Sequence, residues 1–330
     1  MKPFAIYHEH PDWFKPLFAE LEKRGIEYER INPARHSFDI TDTDINYSLF
    51  FNRMSPSAYL RDGAQGIFFT LSYLQHLELF GTKTINGYKA FSYEVSKAAQ
   101  LSLLKKLGLG YPRTVVINHT SQLLRAVQGL RFPVVVKANI GGSGAGITKY
   151  DSVVSLRAAI EDNEISLGID NTALVQEFIP ARGGYITRVE TLAGRYLYAI
   201  KVHTTGESFN LCPADICQTS DGKELLRNAC ALDAPKNGLK VESYTPPAEV
   251  IQAIEAIVQH AGIDVGGIEY MIDDRDGRLV YYDVNALSNF VADAVHVIGF
   301  NPHERLVDFL TAQAYDKRIP QTTTASLTHL

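Results

Sequence analysis

The sequence predicts a chain of mixed α/β and α+β class: an N-terminal βαβ lobe followed by two further lobes of helix and sheet. Three observations carry this reading. Strand-like and helix-like apolar spacings alternate through the first third; a buried-strand run ends in lysine and enters a glycine loop; two late strand runs hold carboxylates inside apolar stretches. The 330 residues suit two or three lobes.

Residues 4–7 read as a strand, and residues 13–23 as a helix with Phe14, Leu17, Phe18 and Leu21 on one face, stopped by Gly25. Strands at 28–31 and 47–52, a long helical pattern at 59–80, and Thr84-Ile85 before an Asn86-Gly87 turn complete a partly parallel sheet. One helix is expected over 91–107, ended by Gly108 and Gly110. A small lobe follows, with strands at 114–117, 134–138, 147–150 and 173–179 and helices at 121–130 and 153–161. Strands at 186–192 and 196–202 precede an irregular stretch to Pro246. A helix at 249–261, paired strands at 266–272 and 279–284, a helix at 303–314 and a Thr-rich tail finish the chain. The expected lobes are 1–88, 89–182 and 183–330.

A net charge of −5 and the lack of a Lys/Arg-rich block argue against nucleic acid as a partner. No stretch approaches 18 consecutive apolar residues and the first ten residues lack an apolar core, so a cytoplasmic chain without a membrane span or signal peptide is expected. Self-association is left open. Three cysteines (Cys212, Cys217, Cys230) argue against a disulfide framework. Cys212, Cys217 and His203 make an incomplete zinc set, weaker than a reading as plain thiols.

Lys137 closes the apolar run Val134-Val135-Val136, and Gly141, Gly142, Ser143, Gly144 and Gly146 follow. Glycines let successive backbone N–H groups converge on an anion. No Gly-Lys-Ser/Thr follows, so this is not a Walker A loop; residues 147–150 read as a returning strand, so it is not a dinucleotide fingerprint either. Taken alone, a plain hairpin turn explains the glycines equally well. Lys137 favours a phosphate flap, because a buried ammonium must snorkel out or meet an anion. Further on, Asp283 and Asn285 are two apart on one strand and share a face. With Glu269 opposite, they offer hard oxygen donors suited to Mg²⁺.

The order of Lys97, Lys137 with its glycine loop, Val175-Gln176-Glu177-Phe178-Ile179, Arg188, and Glu269 with Asp283 and Asn285 resembles the ATP-grasp superfamily. It is most similar to the RimK-like amino-acid and peptide ligases, with a glutathione synthetase-like fold. The resemblance covers residues 86–315, and the lobe before it resembles a pre-ATP-grasp domain. It implies that Lys97 and Lys137 contact ATP, that Gly141, Gly142, Ser143, Gly144 and Gly146 cover its phosphates, and that the backbone of Gln176, Glu177, Phe178 and Ile179 reads the adenine edge. Arg188 and Lys137 would then be catalytic, and Glu269, Asp283 and Asn285 would hold Mg²⁺, with Mn²⁺ as an alternative. The sequence departs from the family at Ile186, where an Asp is common, and at Ala286-Leu287-Ser288-Asn289-Phe290, where a Ser-Pro-Gly turn is usual. The second departure points to an unusual acceptor substrate.

The expected activity is ATP-dependent joining of a carboxylate to an amine, on an amino acid or peptide, through an acyl phosphate. Alternatives are a kinase of the same fold that phosphorylates a small-molecule hydroxyl and a non-catalytic ATP-binding regulator; a dinucleotide-dependent oxidoreductase ranks last. Arg53, at the end of a buried strand, is expected to contact the acceptor, with Lys201 and Asn289 as further substrate residues.

Overall fold

A computed structural model describes residues 4–43, 45, 47–61, 64–141, 146–203 and 240–315. Gly142, Ser143 and Gly144, the three cysteines and the Thr-rich tail lie outside them. The alternating apolar runs of the first third form a four-stranded parallel sheet, ordered β2-β1-β3-β4, from β1 (Phe4–His8), β2 (Tyr28–Ile31), β3 (Leu49–Arg53) and β4 (Thr84–Ile85). Helices α1 (Lys15–Lys23) and α2 (Ala64–Leu79) provide the crossovers. The expected helix over 59–80 is in fact a short 3₁₀ turn, Ala58–Arg61, and α2.

The helix expected over 91–107 is two helices, α3 (Tyr88–Glu94) and α4 (Lys97–Lys106). The apolar spacing runs through the break, but Ser96 is extended and its hydroxyl accepts from the Ala99 N–H, so a new N-cap begins there. A second sheet, ordered β5-β8-β6-β7, holds β5 (Thr114–Ile117), β6 (Val134–Ala138), β7 (Ile147–Tyr150) and β8 (Ala173–Glu177). All its pairings are antiparallel, and β6–β7 is the expected strand-and-return. The helix expected over 121–130 shrinks to the 3₁₀ turn Thr120–Gln122 and α5 (Leu123–Ala126), whereas α6 (Val153–Glu161) forms as expected.

The third sheet is ordered β11-β10-β9-β12-β13, from β9 (Tyr185–Leu192), β10 (Arg195–His203), β11 (Val241–Tyr244), β12 (Val265–Ile272) and β13 (Leu279–Asn285). One face, with Val189, Ala199, Ile268 and Val284, packs on α4 and α7 (Ala248–Ala261). The other, with Ile186, Ile200, Val202 and Met271, packs on residues of the N-terminal lobe and on α9 (Pro302–Tyr315), which follows the short α8 (Ala294–Ile298). β11 and α8 have no counterpart in the sequence reading.

Asn86 binds the first sheet to the third. Its φ is +50°, a left-handed conformation that asparagine tolerates, and its amide nitrogen donates to Val265 O at 2.7 Å and Ala286 O at 2.5 Å. Among the described residues no helix is long and apolar enough to cross a membrane.

Candidate functional site

Side chains from β6, α4, β9, β12 and β13 meet at the site. In the second sheet, Val134, Val136, Val175 and Tyr150 fill a core under α6, so the opposite face carries Val135, Lys137, Leu174, Gln176 and Lys149. Lys137 is 4% exposed, and its ammonium has no hydrogen bond or ion pair among the described residues. Burial, and then the charge of Lys97, push Lys137 down to about 7.

Lys97 opens α4, where the helix dipole disfavours a cation. Asp283 compensates with an ion pair of 2.5 Å. Burial opposes ionisation of both groups, yet the pairing holds Lys97 above and Asp283 below their ordinary ranges. Asn139, two residues after Lys137, ties the lysine-bearing elements together. Its carbonyl accepts from the Lys97 N–H at 3.2 Å, and its side-chain oxygen from the Ala98 N–H at 2.9 Å. Both N–H groups belong to the first helical turn, which has no internal acceptors. Asp170 fixes the amide of Asn139 from behind, at 2.8 Å.

In the third sheet Arg188, Glu269 and Asp283 are cross-strand neighbours. Arg188 Nη1 donates to Glu269 Oε1 at 2.8 Å, and Arg188 Nε to Glu190 Oε1 at 2.6 Å. The guanidinium lies flat over Gly267, where a Cβ would fall 2.5 Å from Nη2. A bulge in β13 leaves Tyr282 without a register partner, and its hydroxyl donates to Glu269 Oε2 at 2.8 Å. Burial raises the Glu269 carboxyl above its ordinary range against the pull of Arg188. Asn285 donates its amide N–H to Gly267 O at 3.3 Å, which leaves its oxygen as the ligating end. Two carboxylates and one amide thus stand on adjacent strands of the third sheet; among the described residues there is no group of three or more His, Cys, Asp or Glu suited to a metal. The donors present are hard oxygens, and Lys137 beside them, unpaired among the described residues, fits an anion, so the set suits a divalent cation carried with a polyphosphate.

The other expected site residues divide. Gly141 is buried and Gly146 has φ +72°, at the two ends of the glycine loop. Gln176 donates to Thr114 Oγ1 at 2.8 Å, and its buried Oε1 has no hydrogen-bond partner among the described residues. Glu177 accepts from the Arg131 N–H at 2.9 Å, Phe178 donates its N–H to Pro133 O at 2.9 Å, and Ile179 is a core residue. Lys201 stands opposite Thr187, one position from Arg188, and therefore on the other side of the third sheet. There it lies 4.5 Å from the Tyr185 ring centre and 4.3 Å from that of Tyr244, away from the carboxylates. His203 is likewise occupied, 2.9 Å from Glu242.

Arg53 is 2% exposed. It donates to Ser288 O and, at 3.1 Å, to Asn289 Oδ1. Sequence reasoning missed Glu94 and Glu190. Glu94 accepts from the N–H groups of Ala286 and, at 3.3 Å, Leu287, fixing the chain just after Asn285; burial pushes its carboxyl up to about 7.

Residues 95–209 match the RimK-like ATP-grasp domain. The chain is 32% identical over 194 residues to a probable alpha-L-glutamate ligase of Teredinibacter turnerae, covering 56% of this chain and 62% of that protein. It is 26% identical over 280 residues to one of Shewanella loihica, covering 78% and 89%. The first of these matches spans less than two thirds of its relative's length. The fold superposes on ATP-grasp ligase PsnB bound to a minimal precursor, with TM-score 0.65 and 17% identity over 95% of this chain and all of that one. It superposes equally on D-alanine–D-alanine ligase from Bacillus anthracis, with TM-score 0.65 and 16% identity over 95% and 97%. With its lysines, arginine and oxygen donors gathered between two sheets, the chain has the fold of these ATP-grasp ligases, and its residues 95–209 match a RimK-like ATP-grasp domain.

Proposed function

We propose that this chain is an ATP-dependent, ADP-forming carboxylate–amine ligase acting on amino-acid or peptide substrates, built from lobes at 1–88, 89–182 and 183–330. The observation that carries the reading is Lys137: an ammonium buried without a partner among the described residues, beside two lysine- and arginine-matched carboxylates, has the chemistry of an anion site. Glu269, Asp283 and Asn285 hold Mg²⁺, or Mn²⁺ in its place. When bound, the metal neutralises charge on the nucleotide phosphates.

A carboxylate does not condense with an amine in water because hydroxide leaves poorly, and phosphorylation to an acyl phosphate supplies a better leaving group. The chain's own residues position groups and balance charge. Lys97 and Lys137 face the phosphates, and Gly141, Gly142, Ser143, Gly144 and Gly146 cover them and exclude water. The backbone of residues 176–179 borders the adenine. Arg188, locked by two carboxylates, stabilises charge on the transferring group. The names of the relatives make L-glutamate the first substrate to test.

The experiment is to supply Mg-ATP with pairs of carboxylates and amines, L-glutamate among them, and to measure ADP and free phosphate. A ligase releases both only when acid and amine are present together. Phosphate retained on a hydroxyl product would establish the kinase reading instead.

A further inference from the structure

We propose that Glu190 aims Arg188, and that the N-terminal sheet reaches Glu190 through Arg53 and the Ser288-Asn289 segment. The inference rests on the ligase reading above. Glu190 stands two residues from Arg188 on the same strand, so both project to one face. Its Oε1 accepts from Arg188 Nε at 2.6 Å, while Glu269 takes Nη1 from the neighbouring strand at 2.8 Å. With Gly267 beneath the guanidinium, these contacts fix both its direction and its plane.

The second oxygen of Glu190 accepts from the Ser288 hydroxyl. The carbonyl of that serine accepts from Arg53 Nη2, at the end of β3. Arg53, Arg188, Glu190, Glu269 and Ser288 are each at most 3% exposed. A continuous buried line of charge-assisted bonds therefore runs from the N-terminal sheet to a metal-binding carboxylate. Hydrogen bonds of this kind are short, strong and directional, and removing one member leaves the next uncompensated.

Sharing one guanidinium between two carboxylates has an electrostatic consequence. While Glu190 takes part of the Arg188 charge, Glu269 keeps enough negative charge to bind a cation. Without the Glu190 charge, more of the Arg188 charge falls to Glu269 and competes with the metal. Glu190 is thus a positioning residue whose loss changes both turnover and metal demand, which a merely structural ion pair would not.

The test uses the full chain with Glu190→Gln, which keeps the volume and an acceptor for Arg188 Nε, together with Ser288→Ala and the double variant. Supporting a positioning role for Glu190, the Gln variant lowers kcat by about 10- to 100-fold and raises the Mg²⁺ concentration for half-maximal rate, with KM for ATP unchanged at saturating Mg²⁺. Ser288→Ala shifts both quantities the same way by less. The double variant is no worse than Glu190→Gln, because the serine acts only through that carboxylate. Wild-type kcat and Mg²⁺ demand in Glu190→Gln, or in Ser288→Ala should the Gln variant not fold, overturns the proposal. So does a double variant in which the two losses multiply. If wild-type protein turns over ATP with no acid–amine pair, the ligase reading fails separately. The relay is then decided by calorimetry of Mg-ATP binding, in which Glu190→Gln must still raise the Mg²⁺ requirement.

Discussion

Lys137 gives the sharpest test of the phosphate site. Its ammonium is pushed from an ordinary value of 10.5 to about 7, by burial first and by Lys97 second. A drop of about 3.5 corresponds to roughly 5 kcal/mol against the charged form. A bound triphosphate supplies the missing counter-charge and returns the group toward its ordinary value. At pH 8 the free protein then holds Lys137 mostly neutral and the complex holds it protonated, so binding takes up close to one proton. At pH 7 the uptake falls to about half a proton, and below about pH 6 it vanishes. Titration calorimetry with Mg-ATP in two buffers of different ionisation enthalpy reads this number directly. At pH 8 the nucleotide's own phosphates, with a last pKa of about 6, are already ionised. Lys137→Met, similar in volume and uncharged, should abolish the uptake and weaken ATP binding. Equal uptake in the variant, or none in the wild type at pH 8, would refute the reasoning. The sign for stability follows from the same shift. Between about pH 7 and 10.5 the unfolded chain binds more protons than the folded one, so the Lys137 contribution to stability rises with pH across that window.

Gly267→Ala places a methyl 2.5 Å from Arg188 Nη2 and 2.8 Å from its Cζ, so the guanidinium must move. A kcat loss on the order of 100-fold, with a cooperative thermal transition retained, is the expected outcome. Asp283→Asn leaves the Lys97 charge without its ion-pair partner and removes one metal carboxylate; turnover should nearly vanish at limiting Mg²⁺, as a rate titration against Mg²⁺ will show. Glu94, raised from 4.5 to about 7, has a folded value above its unfolded one, so its contribution to stability is full below about pH 4.5 and is lost as pH rises through 7. Urea melts at pH 5 and 8 should show that loss, of about 3 kcal/mol, reduced in Glu94→Gln, whose amide oxygen still accepts from Ala286 and Leu287.

The parts of the fold and site legible in sequence are those with a local signature. The apolar run ending in Lys137 and the two-residue spacing of Asp283 and Asn285 state their strands and faces outright. The break between α3 and α4 was hidden because apolar residues keep helical spacing across it, and a serine alone does not announce a cap. Glu190 was hidden for a different reason. A glutamate at an alternate strand position reads as solvent-facing, and only Ser288, nearly a hundred residues later, together with Arg188 makes its burial tolerable. The face of Lys201 follows from parity: next to Ile200, the partner of Arg188, it stands on the other side of the third sheet. The reach of Arg53 to Ser288 and Asn289 is a tertiary fact that no local pattern encodes.

The bulge at Tyr282 makes β13 unusually forgiving of one change and unforgiving of its neighbours. Tyr281 pairs with Tyr270 and Asp283 with Glu269, and those two partners are consecutive in β12, so Tyr282 is the surplus residue of the ladder. Excising Tyr282 would close the ladder into an unbroken antiparallel pair, every other side chain keeping its side of the sheet. Glu269 would lose one hydroxyl donor and nothing else in the strand would turn over. Excising Tyr281 instead would slide a tyrosine that serves Glu269 into the place opposite Tyr270, on the far face. One strand thus carries a letter that its register does not require, although the core and Glu269 use its side chain, and length variation among related chains should concentrate at that single place.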